Sequence, residues 1–223
     1  MTISWTRLPF KARTEQEYSK ALNDWLSWVF YDELPRHGFE VREEQIYTSF
    51  RIARALQTGK PLFAEAGPGT GKTFAYLLPA LCHARLKGKP VVIASATPVL
   101  QAQLTRPDGD IQTLSKLLGL DVDVRLAGDP AEYLCEWKAE KLGNAAREGE
   151  EWERLREWAQ RTNTGARKEV PFAADDLWRK VAWDPGLPCD TCERRGHCHV
   201  MMARRHYRAA ADLIICDHRL FAL

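Results

Sequence analysis

Glu65-Ala66-Gly67-Pro68-Gly69-Thr70-Gly71-Lys72-Thr73 places a small residue, four more, and then Gly-Lys-Thr, the spacing of a phosphate-binding P-loop. Its glycines let successive backbone N–H groups turn into one concavity, and a helix beginning at the loop's end adds its positive dipole end to the same point. A polyphosphate fits such a cradle. The nucleotide-binding set read from the motif is Ala66, Gly67, Pro68, Gly69, Thr70, Gly71, Lys72 and Thr73. Lys72 is placed to reach the β- and γ-phosphates of ATP, and Thr73 to ligate the bridging Mg²⁺, so these two are the catalytic candidates. The flanks agree. Leu62-Phe63-Ala64 is an apolar run suited to a buried strand, and Phe74, Leu77, Leu78 and Leu81 recur at helical spacing. Pro79 inside that helix removes one i to i−4 hydrogen bond and predicts a kink.

Upstream, Thr14 with Glu17 three residues on is a capping box, followed by an apolar face of Tyr18, Leu22, Trp25, Leu26 and Val29. Pro35 and Gly38 mark that helix's end. A second helix is expected over about 43–58, with Ile46, Phe50, Ala53 and Leu56 inward and Gly59 as its stop. Gln45 stands at its start. A lone Gln there is ordinarily a solvated residue, but its carboxamide also matches the N6/N7 edge of adenine, and upstream of a P-loop it becomes a candidate selector of ATP over GTP.

Downstream, Pro90-Val91-Val92-Ile93-Ala94 reads as a second parallel strand. Thr97 and Pro98 then start another helix as N-cap and first helical residue. The ordinary reading of Ser95 and Thr97 is as backbone caps, although a strand end is also a good place for a ligand. Asp110 opens a short helix that stops at Gly119. Leu120, Val122, Val124 and Leu126 alternate with Asp121, Asp123 and Arg125, a strand with one wet face that belongs towards a sheet edge.

The 223 residues, 45% of them apolar, suffice for one medium α/β domain, or for that domain with a small insertion. A net charge of +2 leaves any nucleic-acid surface to local clusters. No stretch is long and apolar enough to span a bilayer, and no secretory leader is visible, so a cytoplasmic location is expected. In a reducing compartment the six cysteines are better read as metal ligands or buried hydrophobes than as disulfides.

From Asp129 the apolar spacing loosens and the clustered cysteines appear, which marks an inserted segment over about 129–205. Cys135 falls early in it, and Cys189, Cys192 and Cys198 follow as C-x2-C-x5-C. Four thiolates suit either tetrahedral Zn²⁺ or a [4Fe-4S] cluster, and His197 and His199 keep a mixed Cys/His zinc site open. Trp152, Leu155 and Trp158 form a helical stripe read as core packing rather than base stacking. Cys82 and Cys216 lie in apolar runs and read as small buried hydrophobes. From Arg194 to Arg208 lie five arginines and no acid. Such a run is usually a solvated helix face, yet Arg204, Arg205 and Arg208 are candidates for a phosphate backbone.

Taken together, these pieces resemble the DinG/XPD family of iron-sulfur superfamily 2 DNA helicases, and the first half looks close to its YpvA-like bacterial branch. The resemblance rests on Phe39–Gln45 as the Q-motif region, Glu65–Thr73 as motif I, Ala94–Leu104 as motif Ia, Tyr133-Leu134-Cys135, Glu157–Thr162, the three-cysteine loop and Ala211–Ile215. It implies a RecA-like parallel sheet over 1–128, an inserted, mainly α-helical iron-sulfur domain over 129–205, and a return to the sheet over 206–223. It further implies ATP and Mg²⁺ as fuel, single-stranded DNA as track with 5′ to 3′ movement, and Ser95, Thr97 and Gln101 touching the strand. Cys135, Cys189, Cys192 and Cys198 are then the ligands of a [4Fe-4S] cluster. Where the family reads Asn-His after the last strand, this chain has Asp217-His218. The resemblance also implies that the chain is the N-terminal portion of a longer motor, stopping before the DEAH box and second motor domain, and so binding Mg-ATP with little turnover. The alternatives are a non-catalytic DNA-binding iron-sulfur module that keeps ATP binding, and an unrelated P-loop ATPase with a zinc site.

Overall fold

Thr14 caps the first helix, α1 (Glu15–Trp28), by accepting a hydrogen bond from the Glu17 N–H at 3.1 Å. Glu17 answers with its carboxylate, although it takes the Arg13 N–H, at 2.8 Å, and not that of Thr14. The helix continues through a widened turn, Val29–Glu33, into α2 (Leu34–Arg36). That turn lies directly ahead of Pro35, whose ring and missing N–H break the regular ladder. Gly38, at φ 84°, then releases the chain.

The computed structural model describes residues 7–142 and 149–222, and the chain divides into two compact units. The first comprises the described residues up to Leu126 together with Ala210–Cys216. In it α3 (Glu43–Thr58) packs along α4 (Lys72–Lys87), the helix that follows the P-loop. Gly59 and Gly88, both left-handed, end the two helices. Pro79 stays inside α4 and is buried there. The strands β1 (Val91–Ser95), β2 (Val124–Leu126) and β3 (Leu213–Asp217) form one sheet in the order β1-β3-β2. β2 runs parallel to β3, with Val124, Arg125 and Leu126 opposite Leu213, Ile214 and Ile215. The central position explains why Leu213 to Cys216 are all buried, whereas β2, at the edge, is half wet. Between β1 and β2 lie α5 (Pro98–Thr105) and α6 (Asp110–Leu118). The core joins Leu22, Leu26 and Val29 of the first helix to Ile46 and Ala53 of α3, Leu77, Leu78 and Cys82 of α4, and Ile215 of β3. Burial pushes the Cys82 thiol well up, as suits an inert apolar residue.

Two features depart from the sequence reading. Leu62-Phe63-Ala64 forms no strand, and Phe63 is 96% exposed. A three-residue run becomes a strand only beside a partner, and the described strands that surround β3 leave this run outside their ladder. The other is a buried ion pair. Asp212, fully buried, receives Arg85 Nε at 3.2 Å, Arg7 Nη2 at 2.9 Å and the Asp123 N–H at 3.0 Å. Arg85, 5% exposed, also donates to the carbonyls of Arg7 and Asp121. Every buried charge in the cluster therefore has partners, which is what makes its burial tolerable.

The second unit comprises 127–209 and the residues from Asp217 on, so α11 (His218–Ala222) groups with it. Its helices are α7 (Glu136–Leu142), α8 (Glu150–Ala159), α9 (Asp175–Val181) and α10 (His199–Arg208). Single bridges join Tyr133 to Ala166 and Leu134 to Ala182. Leu134, Trp152, Leu155, Trp178 and Val181 make its core, and Trp158 tilts against Trp178 with ring centres 6.2 Å apart. Trp158 also donates its indole N–H to Glu169 at 3.0 Å. The tryptophan stripe is thus spent on packing.

Candidate functional site

Gly69 (φ 80°) and Gly71 (φ 74°) take left-handed conformations that turn the loop before α4, and Lys72 begins the helix. The Lys72 ammonium donates to the carbonyls of Ala66 at 3.0 Å and Gly67 at 2.5 Å, and the Thr70 hydroxyl donates to Gly67 at 3.0 Å. Thr73 hydrogen-bonds the Tyr76 phenol, whose pKa is raised by burial and drawn back by that bond. The loop opens on a pocket of about 870 Å³. Gly69, Gly71, Lys72 and Thr73 line it from the loop, Phe39, Glu40, Arg42 and Gln45 from the upstream segment, and Gln103 and Asp110 from α5 and α6. Ala66, Gly67 and Thr70 complete the loop behind this lining.

The upstream segment is fastened to the loop. Gln45, 8% exposed, donates its amide to the Gly71 carbonyl at 2.7 Å, and the Arg42 guanidinium donates to the Gly69 carbonyl. The amide half of the Gln45 carboxamide is therefore already engaged by the loop. The fit is close enough that a Cβ on Gly71 would lie 2.1 Å from Gln45 Nε2. Phe39 stands 5.5 Å from Phe74, tilted, beside the same pocket.

At the end of β1, Ser95 donates to the Thr97 carbonyl at 3.3 Å, and the Thr97 hydroxyl accepts from the Leu100 N–H at 3.3 Å. Both hydroxyls serve as local caps here. Gln101 lies half-buried one turn into α5, while Val99 is 75% exposed at the same end of the helix.

In the second unit Cys135, Cys189, Cys192 and Cys198 all line one pocket of about 390 Å³, together with Trp137, Trp183 and Met201. The Cys135 thiol is pushed up by burial, with Cys198 and Cys189 adding to the effect. Trp183 donates its indole N–H to Cys189 Sγ at 3.2 Å. His199 is turned to Glu136, 3.2 Å away, and His197 is exposed. Among the described residues no three His, Cys, Asp or Glu side chains converge as ligands of a single metal ion. Of the five arginines, Arg194 pairs with Glu136 and Glu140, and Arg195 pairs with Asp190 at 2.6 Å. Arg204 lies over the Trp183 ring at 5.2 Å, Arg205 donates to the Gly196 carbonyl at 3.2 Å, and Arg208 is exposed on the last turn of α10.

Residues 48–139 match the family model for DEAD/DEAH box helicases. The chain is 37% identical, over 98% of its length, to the probable ATP-dependent helicase YpvA of Bacillus subtilis, and covers 36% of that protein. It is 35% identical to the ATP-dependent DNA helicase YoaA of Escherichia coli, with 82% of this chain and 29% of the relative aligned. The ATP-dependent helicase DinG of Mycobacterium tuberculosis shows 29% identity, with 77% of this chain and 29% of the relative covered. This chain is homologous to the ATP-dependent DEAD/DEAH box helicases. It spans about a third of the length of the curated relatives it matches.

Against that helicase homology, sequence reasoning missed Arg42, whose bond to Gly69 fixes the pocket wall. Its signal was weak, a basic residue just ahead of a helix. It also missed Trp183, because an indole six residues before a cysteine has no motif to announce it. Asp217, where a related family reads Asn, caps α11 by accepting the Leu220 N–H at 2.6 Å. No helix among the described residues is long and apolar enough to cross a membrane.

Proposed function

We propose that this chain supplies the ATP-binding part of a cytoplasmic, DinG/XPD-like DNA helicase that moves 5′ to 3′ on single-stranded DNA. The observation that carries the reading is the convergence of the P-loop with Gln45 on one pocket. In it the loop amides and Lys72 hold the triphosphate, Thr73 takes a coordination position on Mg²⁺, and the free face of the Gln45 carboxamide reads adenine. Ser95, Thr97 and Gln101 at the end of β1 then meet the DNA strand, and Arg204, Arg205 and Arg208 bind its phosphates.

In the same reading Cys135, Cys189, Cys192 and Cys198 bind a [4Fe-4S] cluster, and residues 129–205 form its domain. The donor set fits: four thiols line one pocket with room beyond a single ion, and an N–H already points at one sulfur. Bound there, the cluster supplies a redox-active cross-link between distant parts of the unit. The experiment is strand displacement by the protein that carries this chain, on duplexes with a 5′ or a 3′ tail. ATP-dependent opening of the 5′-tailed duplex, lost in Lys72→Ala, is expected. Opening that survives Lys72→Ala, or that prefers the 3′ tail, would overturn the corresponding part of the proposal.

A further inference from the structure

The cysteines around the 390 Å³ pocket come from two distant places in the chain, Cys135 just ahead of α7 and the other three in the loop that ends at α10. Glu136 and Glu140 both reach Arg194 across the gap, and Glu136 alone of the two also meets His199. Glu136 Oε1 lies 3.2 Å from His199 Nε2, and its Oε2 lies 3.5 Å from Arg194 Nη1. Glu136 follows Cys135, His199 follows Cys198, and Arg194 lies between Cys192 and Cys198. Each oxygen thus ties the upstream cysteine to a different point of the three-cysteine loop.

The imidazole is a firm anchor. His199 is 5% exposed and sits against Gly165, where a Cβ would come 2.4 Å from its Cγ. Gly165 is in turn held by the Thr162 hydroxyl, which accepts its N–H at 2.9 Å. Backbone bonds from Leu134 to Gly165 and from Cys135 to Val181, both 2.8 Å, fix Cys135 against the helical core. They leave its distance from the loop to side chains, and Glu136 is the side chain that reaches both of the loop's fixed points.

We propose that Glu136 is a positioning residue that sets Cys135 in register with Cys189, Cys192 and Cys198, an inference that rests on the cluster reading above. Carboxylates that sit just outside the ligands of a metal centre orient those ligands without touching the metal. Without Glu136, Cys135 would no longer be held in register as a ligand while Cys189, Cys192 and Cys198 would stay in place, so a bound cluster would be expected to lose one iron, as Fe²⁺ and without any oxidant, and to keep its sulfides.

The test measures iron and acid-labile sulfide per chain in anaerobically purified wild type, Glu136→Ala, Cys135→Ser and Glu140→Ala, with melting temperature and circular dichroism on the same samples. Wild type and Glu140→Ala, which removes a partner of Arg194 but not of His199, are expected to hold equal iron and sulfide. Glu136→Ala is expected to behave as Cys135→Ser does, with about three irons per four sulfides and a wild-type helical spectrum. Full iron in Glu136→Ala overturns the inference. So does loss of all iron and sulfide in Glu136→Ala while Cys135→Ser keeps three irons, since Glu136 would then be holding the fold. Wild-type protein with zinc, or without sulfide, refutes the cluster reading itself and takes this inference with it.

Discussion

Arg85 near the end of α4 and Asp212 at the head of β3 form an ion pair in which neither side chain meets water to any extent: their exposures are 5% and 0%. The helix that carries the P-loop is thereby pinned to the central strand at its far end. Asp212→Ala strands a buried guanidinium and is expected to cost about 3–5 kcal/mol, read as a fall in melting temperature of the nucleotide-binding unit. A double replacement, Arg85→Met with Asp212→Leu, should recover most of that loss, because no buried charge is then left unpaired and Arg7, 43% exposed, keeps water for its own. A double mutant as unstable as the single one would show that the pair's other bonds, to Arg7 and Asp123, carry the effect.

ATP with Mg²⁺ should raise the melting temperature of the wild-type chain, by about 2.7 kcal/mol of added stability at a hundredfold excess over Kd. Lys72→Ala removes the charge at the loop's mouth and should abolish the rise. Gln45→Ala should keep it while erasing the difference between ATP and GTP. An undiminished preference for ATP in Gln45→Ala would assign adenine reading to another wall of the pocket.

Asp123 links the two parallel strands, since its carboxylate accepts the Ala211 N–H at 2.8 Å. The Arg125 guanidinium, above all, holds its carboxyl below the usual aspartate range. A depressed folded pKa contributes stability that is present above the unfolded value, about 3.9, and is lost as pH falls through the lower folded value. Urea midpoints measured between pH 5 and pH 2 should therefore fall more steeply in wild type than in Asp123→Asn. Parallel acid limbs for the two proteins would remove Asp123 from the account.

Trp183→Phe deletes the indole N–H that reaches Cys189 while keeping an aromatic ring beneath Arg204. A hydrogen bond to a ligand sulfur favours the more negative, reduced state of a cluster. On the cluster reading proposed above, the midpoint potential of the Phe variant should accordingly drop with iron content unchanged, as followed by optical redox titration.

Replacing Arg204, Arg205 and Arg208 with Ala should make the salt dependence of single-stranded DNA binding shallower by one to three charges' worth, about 0.7 of a logarithmic unit for each phosphate no longer neutralised. Ser95→Ala and Thr97→Ala remove neutral hydrogen bonds and should weaken binding at an unchanged slope. Equal slopes in wild type and the triple arginine variant would return α10 to being a solvated face.

Local signals were the legible ones. Thr14, Gly59, Thr97, Pro98, Gly88 and Gly119 bound their helices where caps and stops act within a turn, and the alternation from Leu120 to Leu126 marked an edge strand, although only Val124–Leu126, the part that meets β3, forms it. The P-loop was legible for the same reason, since its function is written in consecutive backbone positions. What was hidden depends on partners far along the chain. Arg85 meets Asp212 across 127 positions, Glu136 meets Arg194 across 58, and no period or spacing announces such pairs. Phe63 erred in the opposite direction: an apolar run predicts burial, but a strand exists only where a neighbour offers its edge.

β3 lies between β1 and β2 in the sheet, although in the chain it comes after both, with the second unit in between. Of the described strands, a ribosome delivers the two that flank β3 first and β3 after them. β1 and β2 have no ladder of their own to close, so they must wait, with their edges bare, while the helical unit is synthesised and folds on its own local interactions. Premature termination anywhere within that unit would release a chain whose P-loop helix is complete but whose sheet has no centre, a species prone to pair its open edges with those of other chains.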